Sequence, residues 1–99
     1  MKKVLFHPDA SEEMTASAEW YERKQSDLGK RFLAAVQDAV FRVQINPVLY
    51  PEVMPGVRRS ITRSFPFGVV YSTSDDVIFI FAVMHLRRDP DYWKDRVTG

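Results

Sequence analysis

Cysteine is absent from the 99-residue sequence. Its absence excludes disulfide bonds and thiolate metal sites, and it agrees with a reducing cytoplasm, where we expect the protein to act. Long hydrophobic runs are also missing, because the longest, Val77 to Met84, has eight residues, whereas a membrane-spanning helix needs about 20. Only three apolar residues separate the N-terminal lysines from His7-Pro8, so we expect no signal peptide and no membrane partner.

The sequence is equally poor in patterns that carry hydrolytic or metal chemistry. The serines occur in no nucleophile-elbow pattern, and the two histidines, His7 and His85, are too far apart to form an i,i+4 ligand pair. The four glycines form no phosphate-binding loop. We therefore expect no triad-type hydrolysis, no metal site and no cofactor.

Negative charge is missing from two long stretches, although the formal net charge is only +1. No acid lies between Glu52 and Asp75, or between Asp76 and Asp89. The basic residues that fall in these acid-free stretches are Arg58, Arg59, Arg63, His85, Arg87 and Arg88. This distribution predicts one basic surface on a nearly neutral protein, and such a surface attracts anionic partners.

Apolar periodicity predicts two helices after a short strand at residues 2–6. The first helix is predicted over residues 8–24, with a proline at its first position. The second is predicted to begin after Ser26, a favourable N-cap, and to stop at Asn46-Pro47. Because the connection between them is short, the helices should form an antiparallel hairpin. The proline-rich segment that follows, up to Gly56, is predicted to be a loop.

The second half of the chain is predicted to form three strands, from its β-branched and alternating residues. The predicted strands cover residues 57–65, 67–73 and 77–85. Pro66 separates the first two, and a turn at 74–76 separates the last two. Asp89-Pro90 is predicted to begin a last helical turn. The residues of this turn include Tyr92, Trp93 and Arg96.

The predicted order is therefore β-α-α-β-β-β with a short C-terminal helical turn, in one domain over residues 1–99. Consecutive helices followed by consecutive strands predict the α+β class, with a helix hairpin packed on an antiparallel sheet. The residues expected at the contact between hairpin and sheet are Val36, Val40, Phe79 and Phe81. Such a sheet commonly leaves its other face open to a partner.

The basic cluster has two interpretations from pattern alone. Arg59 and Arg63 share the strand parity of their apolar neighbours, whereas Arg58 points to the opposite face. The apolar residues expected to share the face of Arg59 and Arg63 are Val57, Ile61 and Phe65. Guanidinium groups match phosphate oxygens, so these arginines are candidates for phosphate binding. The alternative, which we favour, is that they are solvated and pair with acids of the helices.

His85 also has two interpretations. A histidine titrates near neutrality and can act as an acid or base on RNA. A histidine at a strand end is more often hydrogen-bonded to backbone, and we favour that structural role. Tyr92 and Trp93 can stack on bases, but aromatic residues in a terminal helix more often anchor the tail to the core.

The segments "WYERK", "GVRRSITRSFPFGVVYS" and "AVMHLRRDPDYW", in this order of predicted elements, resemble the RelE/ParE superfamily of type II toxin–antitoxin toxins of the plasmid-stabilisation type. The resemblance covers nearly the whole chain. Its most specific parts are Phe65-Pro66-Phe67 before a strand that contains Tyr71, and the pattern H-x-x-R-x-P-x-x-W that begins at His85. The resemblance implies a cytoplasmic toxin that forms a hetero-oligomer with a cognate antitoxin protein.

The superfamily contains two kinds of toxin. RelE-like members cleave messenger RNA on the ribosome through the RNA 2′-hydroxyl, whereas ParE-like members poison DNA gyrase. If this chain were a messenger RNA endoribonuclease, its candidate catalytic residues would be Glu52, Arg59, Arg63, Tyr71 and His85. However, the three later strands carry no lysine, and Leu86 follows His85 where some nuclease relatives have a tyrosine.

The resemblance is therefore closer to the ParE-like branch and implies an inhibitor of DNA gyrase. The residues expected to bind the target are Arg59, Arg63, Arg87 and Arg88. The residues expected to be structural are Phe65, Pro66, Pro90 and Trp93. Ribosome-dependent cleavage of messenger RNA is the alternative, and a degenerate member that binds an antitoxin and poisons nothing is a third possibility.

Overall fold

A computed structural model describes residues 1–98 of the chain. Its elements are β1 Lys3–Phe6, α1 Pro8–Lys24, α2 Leu28–Ile45, β2 Glu52–Met54, β3 Val57–Ile61, β4 Phe67–Thr73, β5 Val77–His85 and α3 Lys94–Thr98. The strands form one five-stranded sheet in the order β1-β5-β4-β3-β2. Within residues 1–98, no helix is both long and apolar enough to cross a membrane.

The predicted α+β fold, a helix hairpin packed on a sheet, is confirmed. The sheet is mixed, because β1 pairs parallel with β5 while the other neighbouring strands pair antiparallel. The parallel pair follows from the connections. The chain reverses direction at each step from β1 through the two helices and β2, β3 and β4, so β5 again runs in the direction of β1.

The two helices begin differently. Pro8 occupies the first turn of α1, and the Nδ1 atom of His7 accepts a hydrogen bond from the Asp9 amide at 3.0 Å. The prediction that Ser26 caps α2 is wrong. Asp27 takes the N-cap position in a left-handed conformation, with φ 69°, and its side chain makes no capping bond. The free amides of this helix end instead donate to the carboxylate of Glu22 in α1.

Two strand boundaries differ from the predictions. The segment 46–56 is not all loop, because its residues Glu52–Met54 form the edge strand β2. Strand β3 ends at Ile61 instead of continuing to residue 65. A turn follows, in which the Thr62 hydroxyl donates to the Phe65 carbonyl at 2.7 Å and Ser64 has a φ of 66°. Arg63 therefore lies in this turn, and Val57, Ile61 and Phe65 do not share one strand face.

The sheet has a core on each face. The helix face packs against α1 and α2 around Phe32, Val36, Val69, Tyr71 and Ile80, with Val40 partly buried beside them. The opposite face, which we call the tail face, holds a smaller core that includes Val57, Val70, Phe81, Met84 and Trp93, with Phe79 against it. Val36 and Val40 thus meet the helix-face core as predicted, but the predicted contact of Phe79 and Phe81 with the hairpin is wrong.

Both faces of β5 are apolar because each packs in a core, and a β-bulge shifts which residues face each side. Val70 pairs with Ala82, whereas Tyr71 pairs with Ile80, so Phe81 is an extra residue in the ladder. Phe81 and Ala82 consequently both belong to the tail-face core. Beyond the bulge the alternation is reversed, and Val83 returns to the helix face.

The C-terminal tail contains less helix than predicted. The prediction that helix begins at Asp89-Pro90 is wrong, because α3 begins at Lys94. The Asp89 carboxylate instead accepts from the Asp91 amide at 3.0 Å, and backbone bonds across residues 89–96 span three residues, as they do in turns. These turns place Trp93 against the tail face with 1% of its surface exposed.

Candidate functional site

The bulge in β5 decides which face His85 occupies. Without the extra residue, His85 would share the tail face with Phe79 and Phe81. In the structure its ring lies 5.2 Å from the ring of Phe67, a member of the helix-face core. Nδ1 of His85 accepts a hydrogen bond from the Arg87 amide at 3.1 Å. In the neutral imidazole this bond fixes the proton on Nε2, which leaves that atom as a donor.

His85 opens onto a cleft between α1 and the end of the sheet, which we call the α1 cleft. Its volume is about 460 Å³, within the range of about 300–1,000 Å³ typical of ligand pockets. Its lining is mostly apolar, with charged groups at one end. The lining residues include Glu13, Trp20, Tyr21, Phe67, His85 and Arg88.

Glu13 organises the charged end of the α1 cleft. Its carboxylate accepts bonds from both terminal nitrogens of Arg96, at 3.0 and 2.9 Å. The side chains of this pair are 14% and 13% exposed. The carboxylate also accepts from the Val83 amide at 3.2 Å. Its hydrogen bonds with Arg96 raise the pKa of that guanidinium, and the pair links α1 to the tail.

Arg88 is the second cation at this end. Its guanidinium lies 3.6 Å above the ring of Tyr92 and 3.4 Å from the Glu13 carboxylate, and its side chain is 52% exposed. Burial raises the pKa of Tyr92, and the neighbouring Glu13 raises it further. Tyr92 is therefore a neutral ring at physiological pH, and its face supports the cation.

The four arginines predicted to bind the target do not form one continuous patch. Arg59 lies on the tail face, with its aliphatic stem so close to Gly68 that a Cβ there would meet Arg59 Cδ at 2.8 Å. Arg63 lies in the β3–β4 turn, 3.9 Å from Asp38 of α2. Arg87 and Arg88 follow β5, and Arg87 is exposed. Arg63 and Arg88 thus pair with helix acids.

The residues named as nuclease candidates are dispersed. Tyr71 is fully buried, and its hydroxyl donates to the Pro47 carbonyl. Glu52 accepts from the Gly56 amide at 2.9 Å in the edge turn. His85 pairs with Phe67, four residues before Tyr71 on β4, which is a separation of about 13 Å along the strand. No acid–base pair forms between Glu52, Tyr71 and His85.

Among the residues expected to be structural, Trp93 is buried and Phe65 packs at the edge of the helix-face core. Pro66 accepts a hydrogen bond from the Leu86 amide at 2.9 Å, which joins the β3–β4 turn to the end of β5. Pro90 is exposed at the start of the tail. Within residues 1–98, no group of three or more histidines and acids is placed to hold a metal ion.

Sequence reasoning did not single out Glu13 or Trp20. Glu13 was one of several acids near the start of a helix, where dipole effects alone account for acids. Trp20 gave a usable signal, because a large aromatic residue lies outside the apolar stripe of α1. In the structure it is 49% exposed.

Comparisons with known proteins identify a matching family and a solved structure with the same fold. The family model described as "ParE toxin of type II toxin-antitoxin system, parDE" matches residues 4–90. A solved chain of the chromosomal ParDE toxin–antitoxin system from P. aeruginosa is 22% identical in sequence, with a TM-score of 0.63. The alignment covers 88% of this chain and 98% of that chain. At this identity, it shows a shared fold. No curated protein sequence matches the chain.

Proposed function

Because the chain belongs to the ParE toxin family of type II toxin–antitoxin systems, we propose that it inhibits bacterial growth by poisoning DNA gyrase. The observation that carries the proposal is the family match over residues 4–90. The match spans α1, α2 and all five strands, so it includes the elements that build the α1 cleft.

The placement of the ionisable residues supports gyrase over messenger RNA as the target. Cleavage through the RNA 2′-hydroxyl needs a base, an acid and positive charge around one phosphate. Tyr71 is buried and bonded to backbone, and Glu52 lies at the edge strand. His85 has one ring nitrogen engaged by the Arg87 amide. A toxin that acts by binding to an enzyme needs no such constellation.

The proposed contacts with the target are Arg59, Arg63, Arg87 and Arg88. Arg63, Arg87 and Arg88 lie at the end of the sheet where β5 ends and the β3–β4 turn lies, whereas Arg59 lies on the tail face over Gly68. Arg63 and Arg88 keep much of their surface in solvent, with side chains 72% and 52% exposed, despite their acid partners. Exposed guanidinium groups suit an acidic protein surface or a DNA phosphate.

We also propose that a cognate antitoxin, encoded in the adjacent reading frame, binds the chain and neutralises it in the cytoplasm as a hetero-oligomer. The helix hairpin and the exposed sheet edges are available as templates for a helical or extended segment. An antitoxin that binds only the folded toxin also raises its melting temperature.

Induction of the gene in a bacterial host, with parallel readouts, tests the proposal. We expect growth arrest with DNA breakage while messenger RNA stays intact, and we expect co-expression of the adjacent frame to restore growth. Cleavage of messenger RNA without DNA breakage would instead assign the chain to the nuclease branch. Normal growth at verified soluble expression would indicate a member that has lost toxicity.

A further inference from the structure

The α1 cleft joins an apolar half to a cationic half. Resting on the proposed function, we propose that this cleft binds an antitoxin segment that carries a bulky apolar side chain and a carboxylate. The apolar side chain lies on Trp20, Tyr21 and Phe67, and the carboxylate binds Arg88 and the Nε2 donor of His85.

The apolar half of the α1 cleft is open to solvent, and its aromatic side chains already pack against one another. Trp20 stands edge-on to Tyr21, with ring centroids 5.1 Å apart, and is 49% exposed on the surface of α1. Tyr21 also packs edge-on against Phe67, at 6.2 Å, so the rings form a rigid wall. An exposed aromatic at the rim of an apolar recess is a typical anchor point for a partner's side chain.

The cationic half has donors that the protein itself does not use. Arg96 makes two short bonds to Glu13, and the Val83 amide makes another. The contact from Arg88 to Glu13 is longer, at 3.4 Å. Glu13 is thus satisfied by Arg96, and Arg88 keeps most of its five N–H donors for an external group.

The local charge favours an anion. Within residues 1–98, the acids that pair with Arg88 and Arg96 are the partly buried Glu13 and the exposed Asp9, which lies 3.8 Å from Arg96. The face of Tyr92 fixes the guanidinium of Arg88 in place. A guanidinium held in this way loses little conformational freedom when it binds a carboxylate.

The spacing of the two halves defines the occupant. Glu13 and Trp20 are two turns apart on α1, a distance of about 10 Å at 1.5 Å per residue. A peptide in the polyproline II conformation advances about 9 Å in three residues and brings every third side chain to the same side. The expected segment therefore has an apolar residue and an acid at positions i and i+3.

Two synthetic peptides test the site on the full chain. Acetyl-Leu-Ala-Ala-Glu-amide has the proposed spacing, and acetyl-Leu-Ala-Ala-Gln-amide lacks only the charge. We expect the first to bind about tenfold more tightly in an NMR titration, as a charge-assisted bond to arginine requires. The largest chemical-shift changes should occur at the Trp20 indole and at the amides of Val83 and Arg87.

Matched variants separate the two halves. Arg88→Gln should abolish the preference for the glutamate peptide, while Arg87→Gln, an equal charge change at the next residue, should preserve it. Trp20→Ala should weaken both peptides, while Phe41→Ala, which truncates another aromatic that is 49% exposed, should not. With the adjacent-frame antitoxin, Arg88→Gln and Trp20→Ala should each raise the Kd at least about tenfold.

Several results would overturn the site. Equal affinity for the two peptides, equal effects of Arg87→Gln and Arg88→Gln, or sodium acetate producing all the shifts would each contradict it. Dimerisation of the chain that Trp20→Ala abolishes would assign the cleft to a second copy. If the chain poisons gyrase but the peptides bind without preference, the proposed site is wrong while the proposed function stands. The proposed function fails alone if the peptides discriminate as expected but gyrase is unaffected.

Discussion

At the scale of the residue, Tyr71 has a phenol group that could take part in acid–base chemistry but has a structural role in this fold. Its ring fills the helix-face core, and its hydroxyl bonds to the Pro47 carbonyl of the loop after α2. Burial raises the pKa of Tyr71 to about 12, although the nearby Arg58 lowers it. The side chain therefore holds a loop in place as a neutral donor.

The raised pKa predicts a loss of stability in alkali. Above pH 10 the unfolded chain releases the Tyr71 proton while the folded chain retains it until about pH 12, so the unfolded state binds fewer protons. The contribution of Tyr71 to the free energy of unfolding is then fully present below pH 10 and falls by up to about 2 kcal/mol between pH 10 and 12. Urea titrations across this range measure it.

Tyr71→Phe is the matched variant for this measurement. It should be less stable by about 1 kcal/mol at neutral pH, because the Pro47 carbonyl loses its donor. Its stability should fall less steeply above pH 10, with a remainder from Tyr92, whose pKa is also raised by burial. An alkaline decline as steep as that of the unmodified chain would contradict the assignment.

Trp93 should anchor the C-terminal tail to the sheet. Its ring is 1% exposed in the tail-face core, so Trp93→Ala should lower the free energy of unfolding by roughly 3 kcal/mol. Trp20→Ala, which removes the half-exposed indole, should change it by less than about 1 kcal/mol. Denaturant titrations of the two variants compare them directly, and equal losses would show that the tail is not anchored by Trp93.

At the scale of the element, the start of helix α2 is capped by a side chain of helix α1. The Glu22 carboxylate accepts from the amides of Asp27 and Gly29, both at 3.0 Å. An acid in the last turn of α1 therefore supplies the cap that Ser26 was predicted to supply. The cap also ties the two helices of the hairpin together.

Replacing this cap gives a direct test. Glu22→Ala should lower the free energy of unfolding by about 1 kcal/mol, because two amides at the start of α2 lose their acceptor. Ser26→Ala should have an effect of less than about 0.5 kcal/mol, since Ser26 is exposed outside the helix. Chemical denaturation measures both, and the reverse order of effects would restore Ser26 as the cap.

The elements differ in how far the sequence predicts them. The bounds of α1, β4 and β5 agree with the predictions, because periodicity and local turn signals define them. The end of β3 at Ile61 and the strand β2 depend on pairing with distant residues, which local pattern does not contain. The bulge at Phe81 is of the same kind. It moves His85 to the helix face, so the candidate site was not predictable from strand parity.

At the scale of the whole molecule, the helices neutralise part of the basic charge that the sequence places in the strands and tail. Glu13 reaches from α1 to Arg88 and Arg96, and Asp38 reaches from α2 to Arg63. The favoured interpretation of the basic cluster, pairing with helix acids, is confirmed for Arg63 and Arg88. The exposed parts of these side chains remain available to partners.

Toxicity should depend on these arginines more than on His85. His85→Gln should retain most toxicity, because glutamine keeps hydrogen-bonding capacity while it removes proton transfer. Arg88→Ala should fold almost normally and weaken toxicity roughly tenfold, as the loss of one interface arginine does. The measurement is growth inhibition at matched soluble expression. Loss of toxicity in His85→Gln, together with loss of messenger RNA cleavage, would favour the nuclease branch.

Overlap between the proposed contacts would explain neutralisation. Arg88 belongs both to the proposed target surface and to the α1 cleft, so an antitoxin segment seated in the cleft would cover it. Inhibition by occlusion of a shared residue requires no conformational change in the toxin.

Cleavage of supercoiled plasmid by purified gyrase, in the presence of the purified chain, tests the central claim most directly. We predict that linear DNA accumulates with increasing chain after detergent and protease release the trapped gyrase, and that prior addition of the antitoxin prevents it. Unchanged plasmid at every concentration of folded, antitoxin-binding chain would contradict the proposal that this protein poisons gyrase.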